Sequence, residues 1–214
     1  MKNKILYIIL FVLLASLIHF KAHSIDQFNF NVTEVEILDD GNIFKGLKKG
    51  TVKTNDGITI NADTFVWDKL LNILTAEGNV EIIDSNQDLQ VYSDNAVYQK
   101  NDEIITTNRN SKAIYGIGKI MYADTFKVLR NENILYAKGN VDIVNTIDNH
   151  LITGDDFTYF KNSEKIISKG ETKANIQSEY KITSKDVTYL VNENNLSSEN
   201  KTRIEDQNSQ VYFI

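Results

Sequence analysis

From Ile58 to Ile204 the apolar residues fall on alternate positions, in short runs such as Phe65/Trp67, Leu74/Ala76 and Val80/Ile82. A period of two is the signature of a strand with one face buried. Val, Ile, Thr, Tyr and Phe dominate these runs, as suits a pleated surface. Between them lie the polar clusters DKLLN, KNDE, RNEN, KNSE and NENN, which read as tight turns. Beyond the first two dozen residues no helical i, i+3, i+4, i+7 face stands out. The pattern predicts an all-β, antiparallel fold.

The pattern also repeats. ADTFVWDKLLNILTAEGNVEI (Ala62 to Ile82) returns as ADTFKVLRNENILYAKGNVDI (Ala123 to Ile143), an offset of 124 − 63 = 61 residues counted from Asp63 to Asp124. The echo divides again. Trp67, Tyr98, Val128, Tyr159 and Tyr189 follow one another in steps of 31, 30, 31 and 30 residues. Two residues earlier stand Phe65, Ala96, Phe126, Phe157 and Val187, and seven residues later Leu74, Ile105, Leu135, Ile166 and Leu196. A small column, Ala76, Thr107, Ala137, Ser168 and Ser198, follows two further on. Asp63, Asp94, Asp124 and Asp155 open four units, where Lys185 stands in the fifth; Gly78, Gly139 and Gly170 close three, against Arg109 and Asn200. A period near 31 residues implies a repetitive architecture. Each unit is expected to hold a strand, a turn, a second strand, a glycine kink and a third short strand. One unit cannot bury its apolar face alone. Stacked units would align those faces into an apolar trough, which either stays open where the small column leaves room or packs shut like a sandwich core.

The first residues change the picture of location. Lys2 and Lys4 precede an apolar run, Ile5 to Phe20, and Ala22-His23-Ser24 places small residues at a cleavage position before Ile25. This is the pattern of a secretory signal peptide, expected over residues 1–24, with the exported domain over 25–214. The run is short for a spanning helix, which needs about 20 apolar residues; an uncleaved anchor is the other option. With no Cys in the chain there is no disulfide framework and no thiolate chemistry. It also has no Pro, which long ladders exclude but which an Asn-, Ile- and Lys-rich composition would also produce. A net charge of −6 without a broad basic patch argues against nucleic acid as a partner. A local basic rim at Lys45, Lys48, Lys49 and Lys53 reads as a solvated turn.

The repeated phrases ADTFVWD…LTAEGNVEI and ADTFKVL…YAKGNVDI, with ITSKDVTYLVNENNLSSENKTRI, resemble the OstA-like repeats of the LptA family, the lipopolysaccharide-transport bridge. They also resemble the periplasmic N-terminal domain of LptD. The resemblance runs from about Ile58 to Ile204, and FNFNVTEVEILDDGNIFKGLKKGTV fits as a shorter opening unit in which Gly50-Thr51-Val52 echoes Gly78-Asn79-Val80. It implies a twisted antiparallel β-jellyroll in the periplasm, bridging inner and outer membranes. Its interior would shield the acyl chains of lipopolysaccharide, each CH₂ withdrawn from water being worth about 0.8 kcal/mol. Phe65, Trp67, Leu74, Phe126, Val128, Leu135, Phe157, Tyr159 and Ile166 would face that interior. The final strand, Val211, Tyr212, Phe213 and Ile214, would be a docking edge for other Lpt proteins or for another copy of this chain, or else the cut end of a longer protein. The large barrel that follows in LptD has no room within 214 residues.

Nothing in the chain suggests an enzyme: there is no G-x-S-x-G, HExxH or Walker loop, so catalytic residues and cofactors are expected to be none. The Asp column lacks the Gly-rich nonapeptide of calcium-binding solenoids, and no metal is expected. His150, in TIDNHLI, is expected at a solvent-exposed turn. Two other readings compete: an exported structural or adhesive β-solenoid with a closed interior, and an LptC-like component held by an uncleaved N-terminal helix.

Overall fold

The computed structural model describes residues 28–214; the expected signal peptide and its cleavage site lie outside them. The strands in chain order are β1 (Phe28–Val32), β2 (Val35–Leu38), β3 (Ile43–Gly46), β4 (Gly50–Thr54), β5 (Ile58–Ala62), β6 (Thr64–Asp68) and β7 (Ile73–Asp84). There follow β8 (Leu89–Gln99), β9 (Ile104–Asn108), β10 (Ser111–Ile114), β11 (Lys119–Ala123), β12 (Thr125–Leu129), β13 (Ile134–Asn145) and β14 (His150–Phe160). The last are β15 (Lys165–Lys169), β16 (Glu171–Ile176), β17 (Tyr180–Lys185), β18 (Thr188–Leu190), β19 (Asn195–Ser197), β20 (Arg203–Asp206) and β21 (Val211–Phe213). Every pairing is antiparallel, and the fold is an all-β jellyroll.

The pairings form two walls. The first runs β1, β4, β5, β7, β8, β10, β11, β13, β14, β16, β17, β20, β21. The second runs β2, β3, β6, β7, β8, β9, β12, β13, β14, β15, β18, β19. Four long strands belong to both. β7 pairs with β6 over Ile73 to Glu77 and with β5 over Glu81 to Asp84. Its register against β8 shifts between Glu77 and Val80, and β13 against β14 shifts at the equivalent place, Lys138 to Val141. The glycine kink expected between two strands is thus a bulge inside one strand, where the chain bends from one wall into the other. Opposite the bulge the inward parity changes: in β8 the buried positions are Val91 and Ser93, then Ala96 and Tyr98.

The bulges form a spine along one side of the molecule. Asn79 Nδ2 donates to Asp63 Oδ2 at 2.7 Å, Asn110 to Asp94 at 2.9 Å and Asn140 to Asp124 at 2.9 Å. Asp63 and Asp124 therefore bracket the two bulges, and Asp94 the connection between β9 and β10. Where no long strand crosses, buried hydroxyls serve: Thr107 with Ser111 at 2.8 Å, Ser168 with Thr172 at 2.6 Å, and Ser184 with Thr202 at 2.8 Å. Thr107 and Ser168 also accept from the backbone N–H groups of Phe126 and Val187.

Candidate functional site

The second wall turns the two long-range columns of the sequence into one row. Cross-strand partners run Phe44, Trp67, Leu74, Tyr98, Ile105, Val128, Leu135, Tyr159, Ile166, Tyr189, Leu196 without a break. All nine residues expected to face inward do so, from 1% exposure at Phe65, Leu74, Phe126 and Ile166 to 4% at Trp67. The small column is buried beside bulky rings: Ala76 is the cross-strand neighbour of Phe65, and Ala137 of both Phe126 and Phe157. In the middle of the molecule Val128, Leu135 and Tyr159 are almost fully buried, and the pocket they line at the margin with Gln87, Leu89 and Tyr115 holds only about 20 Å³, room for about one water. The trough is packed shut there.

It is open at the β1 end. A cleft of about 530 Å³ lies between β1 and the strands β3 and β6, lined by Phe28, Phe30, Phe44 and Trp67 with Lys45 and Lys69 at its rim. Trp67 is the centre of an aromatic group, with ring centroids 5.6 Å from Phe28, 5.7 Å from Phe30 and 5.3 Å from Phe44. Its indole N–H is buried without a hydrogen-bond partner. Lys69 Nζ lies 5.9 Å from both the Phe44 and the Trp67 rings, a distance at which cation and ring attract. Sequence reasoning found Trp67 but missed Phe28, Phe30 and Phe44. The signal was available, since Phe28 and Phe30 alternate and Phe44 stands 23 residues before Trp67, but the opening unit is too short for the 31-residue alignment.

Opposite the spine the free turns of the two walls meet. Arg130, after β12 in the second wall, donates from Nε to Asp84 Oδ2 of the first wall at 2.8 Å and from Nη1 to Asp56 Oδ2 at 2.7 Å. Nη1 also reaches the Tyr98 hydroxyl at 3.0 Å and the Glu103 carboxylate. Lys100 Nζ bonds Asp56 at 2.9 Å and pairs with Glu103. Gln87 Nε2 donates to the Arg130 carbonyl at 2.8 Å. Burial disfavours charge on Asp56, but hydrogen bonds from Thr54, Lys100 and Arg130 outweigh it and hold its carboxyl well below the usual range. Burial likewise opposes the Arg130 charge, and the bonds to Asp84 and Asp56 more than restore it. Burial, then the bond to Glu103, pushes the Tyr98 phenol far up, so it stays protonated. Both Asp84 and Arg130 continue the inward parity of their strands, after Val80/Ile82 and Phe126/Val128. A charge at an inward position calls for a buried partner, and that signal was in the sequence.

Two more links follow along the same margin. Lys119 Nζ meets Glu164 Oε2 at 3.2 Å, beside Tyr115 and Tyr159 rings 4.8 Å apart. His150 Nδ1 lies 3.3 Å from the Tyr189 hydroxyl. His150 is thus a correction: it opens β14 and is 5% exposed, not a solvated turn residue. Its ring points inward because position 150 has the parity of Ile152 in β14, and Tyr189 of the other wall, whose hydroxyl also donates to Asn194 Oδ1 at 3.0 Å, covers it.

At the far end, Val211, Tyr212, Phe213 and Ile214 are 42%, 48%, 60% and 77% exposed. β21 pairs with β20 on one side, and its other edge has no strand partner among the described residues. At the opposite end β1 and β2 are each paired on one side only. Among the described residues no group of three or more His, Cys, Asp and Glu could hold a metal ion, and no helix is long and apolar enough to cross a membrane.

No protein-family model matches the chain, and no curated protein does. Among solved structures the chain is similar to LptH, the LptA homologous periplasmic component of the lipopolysaccharide transport device from Pseudomonas aeruginosa. The match covers 74% of this chain and 94% of that chain, at 11% identity and a TM-score of 0.29. At such values the function has to come from the chain's own geometry.

Proposed function

We propose that the protein is a non-enzymatic carrier of lipopolysaccharide in the periplasm, one segment of an Lpt-type bridge between the membranes. The observation that carries this is the aromatic cleft of about 530 Å³ at the β1 end, which opens at one end of the apolar row from Phe44 to Leu196. Acyl chains leave water there, each buried CH₂ contributing about 0.8 kcal/mol. The unpartnered Trp67 N–H suits an acyl carbonyl, and Lys45 and Lys69 at the rim suit an anionic head group. The repeated ADxF and GNV phrases support the same reading. The unpaired β21 edge would add to the edge of another Lpt protein, or of a second copy, through Val211 to Ile214.

A closed structural scaffold is the second reading, and one observation favours it: the packed interior around Val128, Leu135 and Tyr159. A photoreactive phenylalanine at Phe44 separates the two. Irradiation with lipopolysaccharide should crosslink at Phe44 and not at Val66, which is 38% exposed on the outer face. Equal labelling, or none, would sink the carrier and leave the scaffold.

A further inference from the structure

The carrier reading leaves a physical difficulty. Val128, Leu135 and Tyr159 are buried in the middle, and the pocket beside them, about 20 Å³, is far too small for a lipid with several acyl chains. For cargo to pass, the walls must part, and the structure shows where they can. Along the spine they are one continuous sheet, joined by β7, β8, β13 and β14. Along the other margin no backbone crosses between the walls in these strands; their turns meet through side chains. The strongest of those contacts joins Arg130 and Lys100 of the second wall to Asp56 and Asp84 of the first. These residues are separated by up to 74 positions. Asn55, next to Asp56, lines the open cleft, and Gln87, bonded to the Arg130 carbonyl, lines the small central pocket, so the cluster lies between the two.

We propose that the Arg130 cluster is a clasp. It holds the free margins of the two walls together, and its release opens the margin so that acyl chains enter from the side rather than only through the end. This rests on the carrier reading. The physical case is the placement of the charges. Asp84 is 2% and Arg130 8% exposed, in an edge that apolar residues of the same size would close permanently. A buried ion pair adds little net stability over such a replacement, yet a charge parted from its partner is stable only in water or beside another charge. Cargo with anionic groups competes for Arg130 and Lys100, whereas it cannot compete for an apolar seam.

The chain has no cysteine, so paired labels are unambiguous. Asp88 and Glu132 are exposed, on the turns that flank Gln87 and Arg130 on either side of the margin. Spin labels on Asp88→Cys and Glu132→Cys should give one short, narrow distance, and adding Arg130→Gln should lengthen and broaden it in protein that remains folded by circular dichroism. The same two cysteines joined by a short bismaleimide make a locked form that needs no change at Arg130. With a diazirine fatty acid as probe, the unlocked protein should acquire adducts on peptides carrying Leu135 and Tyr159, several-fold faster with Arg130→Gln. The locked protein should be labelled only around Phe30, Phe44 and Trp67. Central adducts forming as fast in the locked as in the unlocked protein would overturn side entry. An unchanged label distance in Arg130→Gln would overturn the clasp. Absence of adducts in every sample would remove the carrier reading and side entry together, while the label distance would still decide whether Arg130 holds the margin.

Discussion

At the scale of single residues, two kinds of position bear the most. Gly139 has φ +76 and its missing Cβ would run into the Asp124 carboxylate, while Gly170 has φ +86 with nothing within 4 Å. Alanine at either site pays for the left-handed backbone, about 1–2 kcal/mol; only at Gly139 must the Asp124–Asn140 bracket also give way. Chemical denaturation should therefore show Gly139→Ala losing clearly more stability than Gly170→Ala. The second kind is Arg130. Truncation to Ala strands Asp84, 2% exposed, without its counter-ion, and the expected loss is about 3–5 kcal/mol. The pH dependence follows from Asp56, whose folded-state pKa is depressed. The unfolded chain takes up that proton first as pH falls, so the contribution is complete above the ordinary Asp value and is lost below about pH 4. Glu81, lowered by its hydrogen bond from Asn61, acts in the same direction. Thermal melting should be flat, as far as these two groups go, from about pH 6 to pH 8 and fall in acid. Asp56→Asn should flatten part of that acid slope; an unaltered slope would remove Asp56 from the account.

At the scale of elements, the long strands and the terminal strand make different demands. β7 and β13 are each 12 residues long and pass through a bulge, so their halves serve different walls while one apolar row stays continuous. The period-two pattern made each half legible as a strand. It could not show that the halves were one strand, because Gly-Asn reads equally well as a turn. β21 has only three residues, all exposed, and one neighbour. Deleting Gln210 to Ile214 should leave the melting temperature of the rest nearly unchanged and weaken end-to-end association measured by sedimentation. An unchanged sedimentation profile would reject docking through that strand.

At the scale of the whole molecule, repetition and closure come from different sources. The alternation and the 31-residue columns determined by themselves that the chain is β, that it is repetitive, and which positions carry the apolar face. Those properties are local: alternation, β-branched and aromatic side chains, and turn chemistry each act over a few residues. Tertiary structure decided how far apart the inward faces stand. Phe65, Phe126 and Phe157 stand beside Ala76 and Ala137 in the same wall and are buried between the two walls, and among the described residues a cleft of about 530 Å³ opens at β1, where the opening unit is short. It also decided that Asp84 and Arg130 meet, 46 residues apart, and that His150 lies under Tyr189. A charge at an inward position announces that it needs a partner. Which partner it finds depends on the summed twist and register of all the intervening strands, and no local pattern encodes that sum.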